Sequence, residues 1–119
     1  MIHKELDAWK VSITLVKEIY LTTRKFPKDE LYGLISQIRR SAVSIPSNIA
    51  EGAARNSNKE YVRFLNISAG SLAELDTQLI ISNELGYINK DSYNNFAEQI
   101  SRISRLIQGL IKYLNKKDS

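Results

Sequence analysis

Ile38-Arg39-Arg40-Ser41-Ala42-Val43-Ser44-Ile45-Pro46-Ser47-Asn48-Ile49-Ala50-Glu51-Gly52 reads as the middle and end of a long helix with a proline inside it. Leu31, Leu34, Ile35, Ile38, Ala42, Ile45, Ile49 and Ala53 recur at helical spacing and gather on about a third of the wheel. The opposite side carries Arg40, Ser44, Ser47, Glu51 and Arg55. A face meant only for water is usually filled with Lys, Glu and Gln, the better helix formers. This file of small hydroxyls and mixed charge instead suits a surface with something resting against it. Pro46 removes one backbone donor and presses on the carbonyl of Ala42. The apolar file stays in phase across it, so the stretch predicts one kinked helix rather than two.

Working outward, Lys28-Asp29-Glu30 opens this second helix with acid at its positive end, and the helix is expected over about 28–55. Before it, Trp9, Ser12, Ile13, Val16, Ile19, Tyr20 and Thr23 form one stripe of a first helix, over about 6–25. Phe26-Pro27 stops that helix, because a residue before proline avoids helical geometry. After Gly52 and Asn56-Ser57-Asn58, the run Ser57-Asn58-Lys59-Glu60 is a capping box that starts a third helix, about 58–85, ended by Gly86. Its apolar arc, Tyr61, Phe64, Leu65, Leu72, Leu75 and Leu79 with Val62, Ala69, Ala73 and Ile80 beside it, is wide enough for part to be covered by another subunit. Asn89 caps a fourth helix, about 90–114, lined by Tyr93, Phe96, Ile100, Ile103, Ile107, Leu110, Ile111 and Leu114. Long amphipathic helices joined by short connections predict an all-α, antiparallel up-down-up-down four-helix bundle, one domain over residues 1–119.

Composition narrows the function classes. The 119 residues are 43% hydrophobic and 25% charged, at the globular average. No segment is apolar enough to span a bilayer, and the N-terminal residues lack a signal peptide's apolar stretch. The absence of cysteine excludes disulfides and thiolate metal sites and fits a cytoplasmic setting. A net charge of +4 is permissive for nucleic acid without being diagnostic.

The motif Tyr32-Gly33-Leu34 followed by Gln37 to Gly52 resembles the bacterial 23S rRNA-intervening-sequence proteins. The similarity continues in Lys59-Glu60-Tyr61, Phe64-Leu65, Gly70-Ser71, Glu74-Leu75, Thr77-Gln78-Leu79 and Leu85-Gly86-Tyr87, and takes in Trp9 and Phe26-Pro27. The resemblance implies an antiparallel four-helix bundle, a ring-shaped homopentamer and no established enzymatic activity. Similar proteins act as accessory factors of diversity-generating retroelements and bind nucleic acid, so it also implies a binding module.

The residues themselves argue against catalysis. His3 is the only histidine and sits near a terminus expected to fray, leaving the bundle without the commonest general base and metal ligand. Glu-x-x-His pairs for a di-iron site and a Gly-rich phosphate loop are both missing. Glu51 and Glu74 are one conceivable acid/base pair, and ties to Arg, Ser or Gln neighbours are the simpler reading. The chain is therefore expected to be non-enzymatic, with neither cofactor nor metal. Candidate phosphate contacts are Arg39, Arg55, Lys59 and Arg63 around the second and third helices, and Arg102, Arg105, Lys112, Lys116 and Lys117 on the fourth. The last five fit either a solvated face whose charge suits a helix C-terminus or a surface that meets phosphate. Arg40, Ser44, Ser47, Glu51, Glu74 and Gln78 are candidates for a structural or subunit-interface polar set. The partners expected are further copies of the chain and RNA or DNA, with a protein-binding scaffold as the alternative and no membrane role.

Overall fold

The computed structural model describes residues 2–117. A short 3-10 turn, His3–Glu5, leads into α1, Asp7–Thr23. A second 3-10 turn, Lys28–Glu30, precedes α2, Leu34–Ala53, and α3, Asn58–Glu84, and α4, Lys90–Lys117, follow. The described residues form no strand. The largest helix contact is α2 with α3, followed by α3 with α4 and α1 with α2, and α1 also meets α4. The molecule measures 48 × 24 × 20 Å, its long axis close to the roughly 42 Å of a 28-residue helix.

The apolar files meet in one core. Leu15 and Ile19 of α1, Ile38, Ile45 and Ile49 of α2, Leu65, Leu75 and Leu79 of α3, and Ile103 and Ile107 of α4 have no appreciable exposure. Residues late in α1 face residues early in α2, for Arg39 Nε donates to Thr23 Oγ1 at 2.9 Å. The α2–α3 seam is lined with small residues, so the two backbones come close. Ser68 Oγ donates to the Ile45 carbonyl at 2.7 Å, and the Ser44 and Ser71 hydroxyls are 2.8 Å apart. Asn48 Nδ2 donates to both the carbonyl and the hydroxyl of Ser44. Ser44, placed on the polar file by sequence, thus belongs to the seam. The helix runs on through Pro46, which is buried.

Three local expectations need correction. The second helix starts at Leu34 rather than near Lys28, because Lys28–Glu30 closes as a 3-10 turn and Gly33 sits outside helical geometry at φ −113 and ψ −109. Glu30 still serves the helix start from outside it, its Oε1 accepting from the Leu34 amide at 3.3 Å. Leu31 consequently leaves the apolar file and is 46% exposed. His3, expected at a loose end, belongs to the first 3-10 turn and packs edge-on to Trp9 at 5.4 Å. The other punctuation follows the sequence signals. Ser57 Oγ accepts from the Glu60 amide at 3.1 Å, and Asn89 Oδ1 accepts from the Ser92 amide at 2.8 Å. Gly86 adopts φ 80 while the Tyr87 amide reaches back to the Ser82 carbonyl, a Schellman-type stop.

Two tyrosines tie distant segments through carboxylates. Tyr87 Oη donates to Glu30 Oε2 and Tyr93 Oη to Asp76 Oδ1, both at 2.8 Å. These hydrogen bonds, then burial and the carboxylate charge, raise both phenols above their ordinary value. A folded-state pKa raised above the unfolded one gives stability present below about pH 10 and lost as pH climbs through the folded value. Denaturant unfolding at pH 8 and pH 11 is therefore expected to show a smaller alkaline loss in a Tyr87→Phe, Tyr93→Phe double variant than in the wild type. Equal losses in the two proteins would remove these phenols from the account.

Candidate nucleic-acid interface

The nine candidate phosphate contacts separate into groups with different fates. Arg39 is committed within the fold, bonded to Thr23 and lying 4.5 Å over the Tyr20 ring. Arg55 pairs with Glu51 at 3.0 Å, and Arg63 pairs with Glu60 at 3.2 Å. Both guanidinium groups also sit over Phe64, each 4.7 Å from its centroid, so the ring is clamped between two arginines. Each carboxylate cancels one charge there, and of this group only Lys59 stands exposed without such a pairing. The start of α3 is therefore a stability feature more than a phosphate trap. No sequence signal marks the Phe64 clamp, since it needs the two helix ends folded against each other.

The fourth helix differs. Arg102, Arg105, Lys112 and Lys116 are exposed and recur at three-, seven- and four-residue steps, which places them in one row on a single face. The row covers roughly 21 Å of helix. Ile100, Ile103, Ile107, Ile111 and Leu114 fill the opposite, buried side. Arg102, Arg105 and Lys112 take part in no ion pair among the described residues. Arg105 Nη1 donates to Ser101 Oγ at 2.8 Å, a neutral tether that steadies the side chain and leaves its charge uncancelled. Lys117 leans over the Tyr113 ring at 5.8 Å. Of the cations singled out in the sequence, Arg102, Arg105 and Lys112 are brought into one row with no ion pair among the described residues.

The polar set divides as well. Ser44 is in the seam, Glu51 is paired with Arg55, and Ser47 is exposed beside an apolar groove of about 310 Å³ formed by Trp9, Ile13, Val16, Val43, Pro46 and Ala50. Arg40, Glu74 and Gln78 meet in a furrow of about 350 Å³ between α2 and α3, with Ser36, Gln37 and Ser41 in its wall and Tyr32 at its rim. Glu51 and Glu74 therefore lie in different surroundings and do not form an acid/base pair. Arg40 and Glu74 are both exposed and enter no ion pair among the described residues. Gln78 is only 7% exposed, and its Oε1 has no hydrogen-bond donor. Among the described residues no three His, Asp or Glu side chains are grouped to hold a metal ion, and no helix is long and apolar enough to cross a membrane.

A four-helix all-α fold with a tight serine-lined α2–α3 seam and a basic outer helix defines the class of molecule. Over residues 4–109 the chain matches the model of the 23S rRNA-intervening sequence protein family, and it belongs to that family. Among solved structures it is similar to a Bacteroides thetaiotaomicron VPI-5482 protein of unknown function from the S23 ribosomal protein family. The two are 24% identical, with a TM-score of 0.80 over 88% of this chain and 98% of the other, a likeness in fold. No curated protein sequence matches the chain.

Proposed function

We propose that this protein is a non-enzymatic, self-associating module that holds RNA or DNA by its phosphate backbone along the outer face of α4. The observation that carries the reading is the row of Arg102, Arg105 and Lys112, aligned, exposed and uncancelled by carboxylates. Such a row suits sequence-independent phosphate contact, in which each neutralised phosphate releases bound counterions. The chain works as an up-down-up-down bundle, a reading supported by contacts that pair the end of α1 with the start of α2, Ser44 with Ser71, and Asp76 with Tyr93. Five copies is the number the family resemblance supports, and the lack of cysteine fits a cytoplasmic setting. Five copies of a +4 chain carry about +20, which strengthens attraction to a polyanion. Light scattering with and without a short structured RNA, at low and moderate salt, tests the proposal. An oligomer whose mass rises with RNA only at low salt is the expected result, and an oligomer indifferent to RNA at both salts overturns it.

A protein-binding scaffold is the second reading, favoured by the apolar groove of Trp9, Ile13, Val16, Val43, Pro46 and Ala50 along α1 and α2. Binding there would keep its strength as salt rises. The architecture also includes a bend of α2 at Pro46, where the missing amide frees the Ala42 carbonyl. Pro46→Ala is expected to straighten α2 and alter the packing of copies, and a crystal structure of the variant with α2 unchanged would refute the bend.

A further inference from the structure

We infer that the furrow between α2 and α3 is a receptor for a guanidinium group, and that the group is Arg40 of a second copy of this chain. The furrow gathers acceptors. Glu74 offers a carboxylate, and Ser36 and Ser41 add hydroxyls, with the Tyr32 ring 93% exposed at the rim. A planar guanidinium carries five N–H donors, enough to engage a carboxylate side-on and a neighbouring hydroxyl together, and it stacks on aromatic rings.

The chain supplies its own candidate. Arg39, Arg55 and Arg63 are each tied to acceptors of their own copy. Arg40 stands on the wall of this furrow with no ion pair among the described residues, as does Glu74 across from it. A surface carrying one unpaired cation and one unpaired carboxylate complements a second copy of itself. Apolar residues border the pair on both helices. Val43 lies one turn beyond Arg40, while Ile67 and Ile81 lie seven residues either side of Glu74, on one line of α3, and all three are 40 to 44% exposed. Nucleic acid is the poorer occupant, because Glu74 repels phosphate where Arg40 would attract it. The inference rests on the self-association proposed above and names the side chains that hold the copies together.

The test uses charge reversal and mass. Arg40→Glu and Glu74→Arg, made separately, are each expected to move dissociation to at least about tenfold higher protein concentration by light scattering. Combining both reversals in one chain is expected to restore association, since every Arg40–Glu74 contact then carries opposite charges again. Both positions are exposed, so thermal melts followed by circular dichroism should show folded chains. Glu74→Gln gives a second check, melting no lower than the wild type while associating more weakly. A wild-type monomer sinks self-association altogether. An oligomer indifferent to both reversals, or a double reversal that folds but stays dissociated, sinks this assignment alone. RNA affinity plays no part in the readout, so the α4 interface stands or falls separately.

Discussion

Replacing Arg102, Arg105 and Lys112 together with Ala is expected to weaken binding of a short structured RNA about a hundredfold at ~0.1 M salt. The size follows from counterion release. Each phosphate contact contributes roughly 0.7 to 0.9 to the slope of log affinity against log salt, hence about a five- to eightfold effect at ~0.1 M. Three lost contacts therefore multiply to somewhat more than two powers of ten, and the slope itself should flatten by about 2 to 3. Fluorescence anisotropy across a salt series measures both quantities. The fold should be untouched, because all three side chains are exposed on the side of α4 opposite its buried isoleucines. Arg55→Ala with Arg63→Ala is the informative contrast. Those guanidinium groups already face Glu51, Glu60 and the Phe64 ring, so their loss should cost stability more than affinity. A triple α4 variant with an unchanged salt slope would remove α4 from the interface and shift attention to the apolar groove of α1 and α2.

Much of the architecture is legible because it rests on local rules. The period of the isoleucines and leucines marks the helices, and Ser57, Gly86 and Asn89 mark ends that the hydrogen bonds then occupy. Lys28-Asp29-Glu30 misleads for a related reason. Acidic residues favour a helix start, yet Gly33 interrupts the backbone and lets Glu30 cap from outside the helix. The α4 row is legible since a helical wheel alone aligns Arg102, Arg105 and Lys112. Tertiary arrangement decides the rest. Arg39 and Arg40 are neighbours in sequence, but a 100° step turns one toward Tyr20 and Thr23 and the other toward the α3 furrow. Likewise Glu74 and Gln78 share a wheel face by spacing, but their position opposite Arg40 depends on the axial offset of α2 against α3. That offset is set by the small serines of the seam, and no single-helix pattern encodes it.

Gly52→Ala is expected to destabilise the fold by about 1 to 3 kcal/mol, although alanine is the better helix former by about 1 kcal/mol. The glycine falls in the last turn of α2, and its role is close approach rather than helix termination. A Cβ built there would lie 3.0 Å from Phe64 Cβ, 3.0 Å from Tyr61 Cδ1 and 3.1 Å from the Tyr61 carbonyl oxygen. Phe64 Cβ and the carbonyl are fixed to the α3 backbone, so rotating a side chain cannot relieve the contact and α2 must move off α3. The displacement would also loosen the Arg55–Phe64–Arg63 clamp at the same corner. Gly109→Ala on α4 isolates the propensity effect, because nothing lies within 4 Å of the added carbon. That change is expected to stabilise by about 0.5 to 1 kcal/mol. Urea unfolding of both variants reads the opposite signs directly, with midpoints moving down for Gly52→Ala and up for Gly109→Ala. If Gly52→Ala matched or exceeded wild-type stability, the close contact of α2 on α3 would not be what the glycine is there for. A loss at Gly52 beside a gain at Gly109 assigns the cost to packing, since backbone propensity alone would stabilise both.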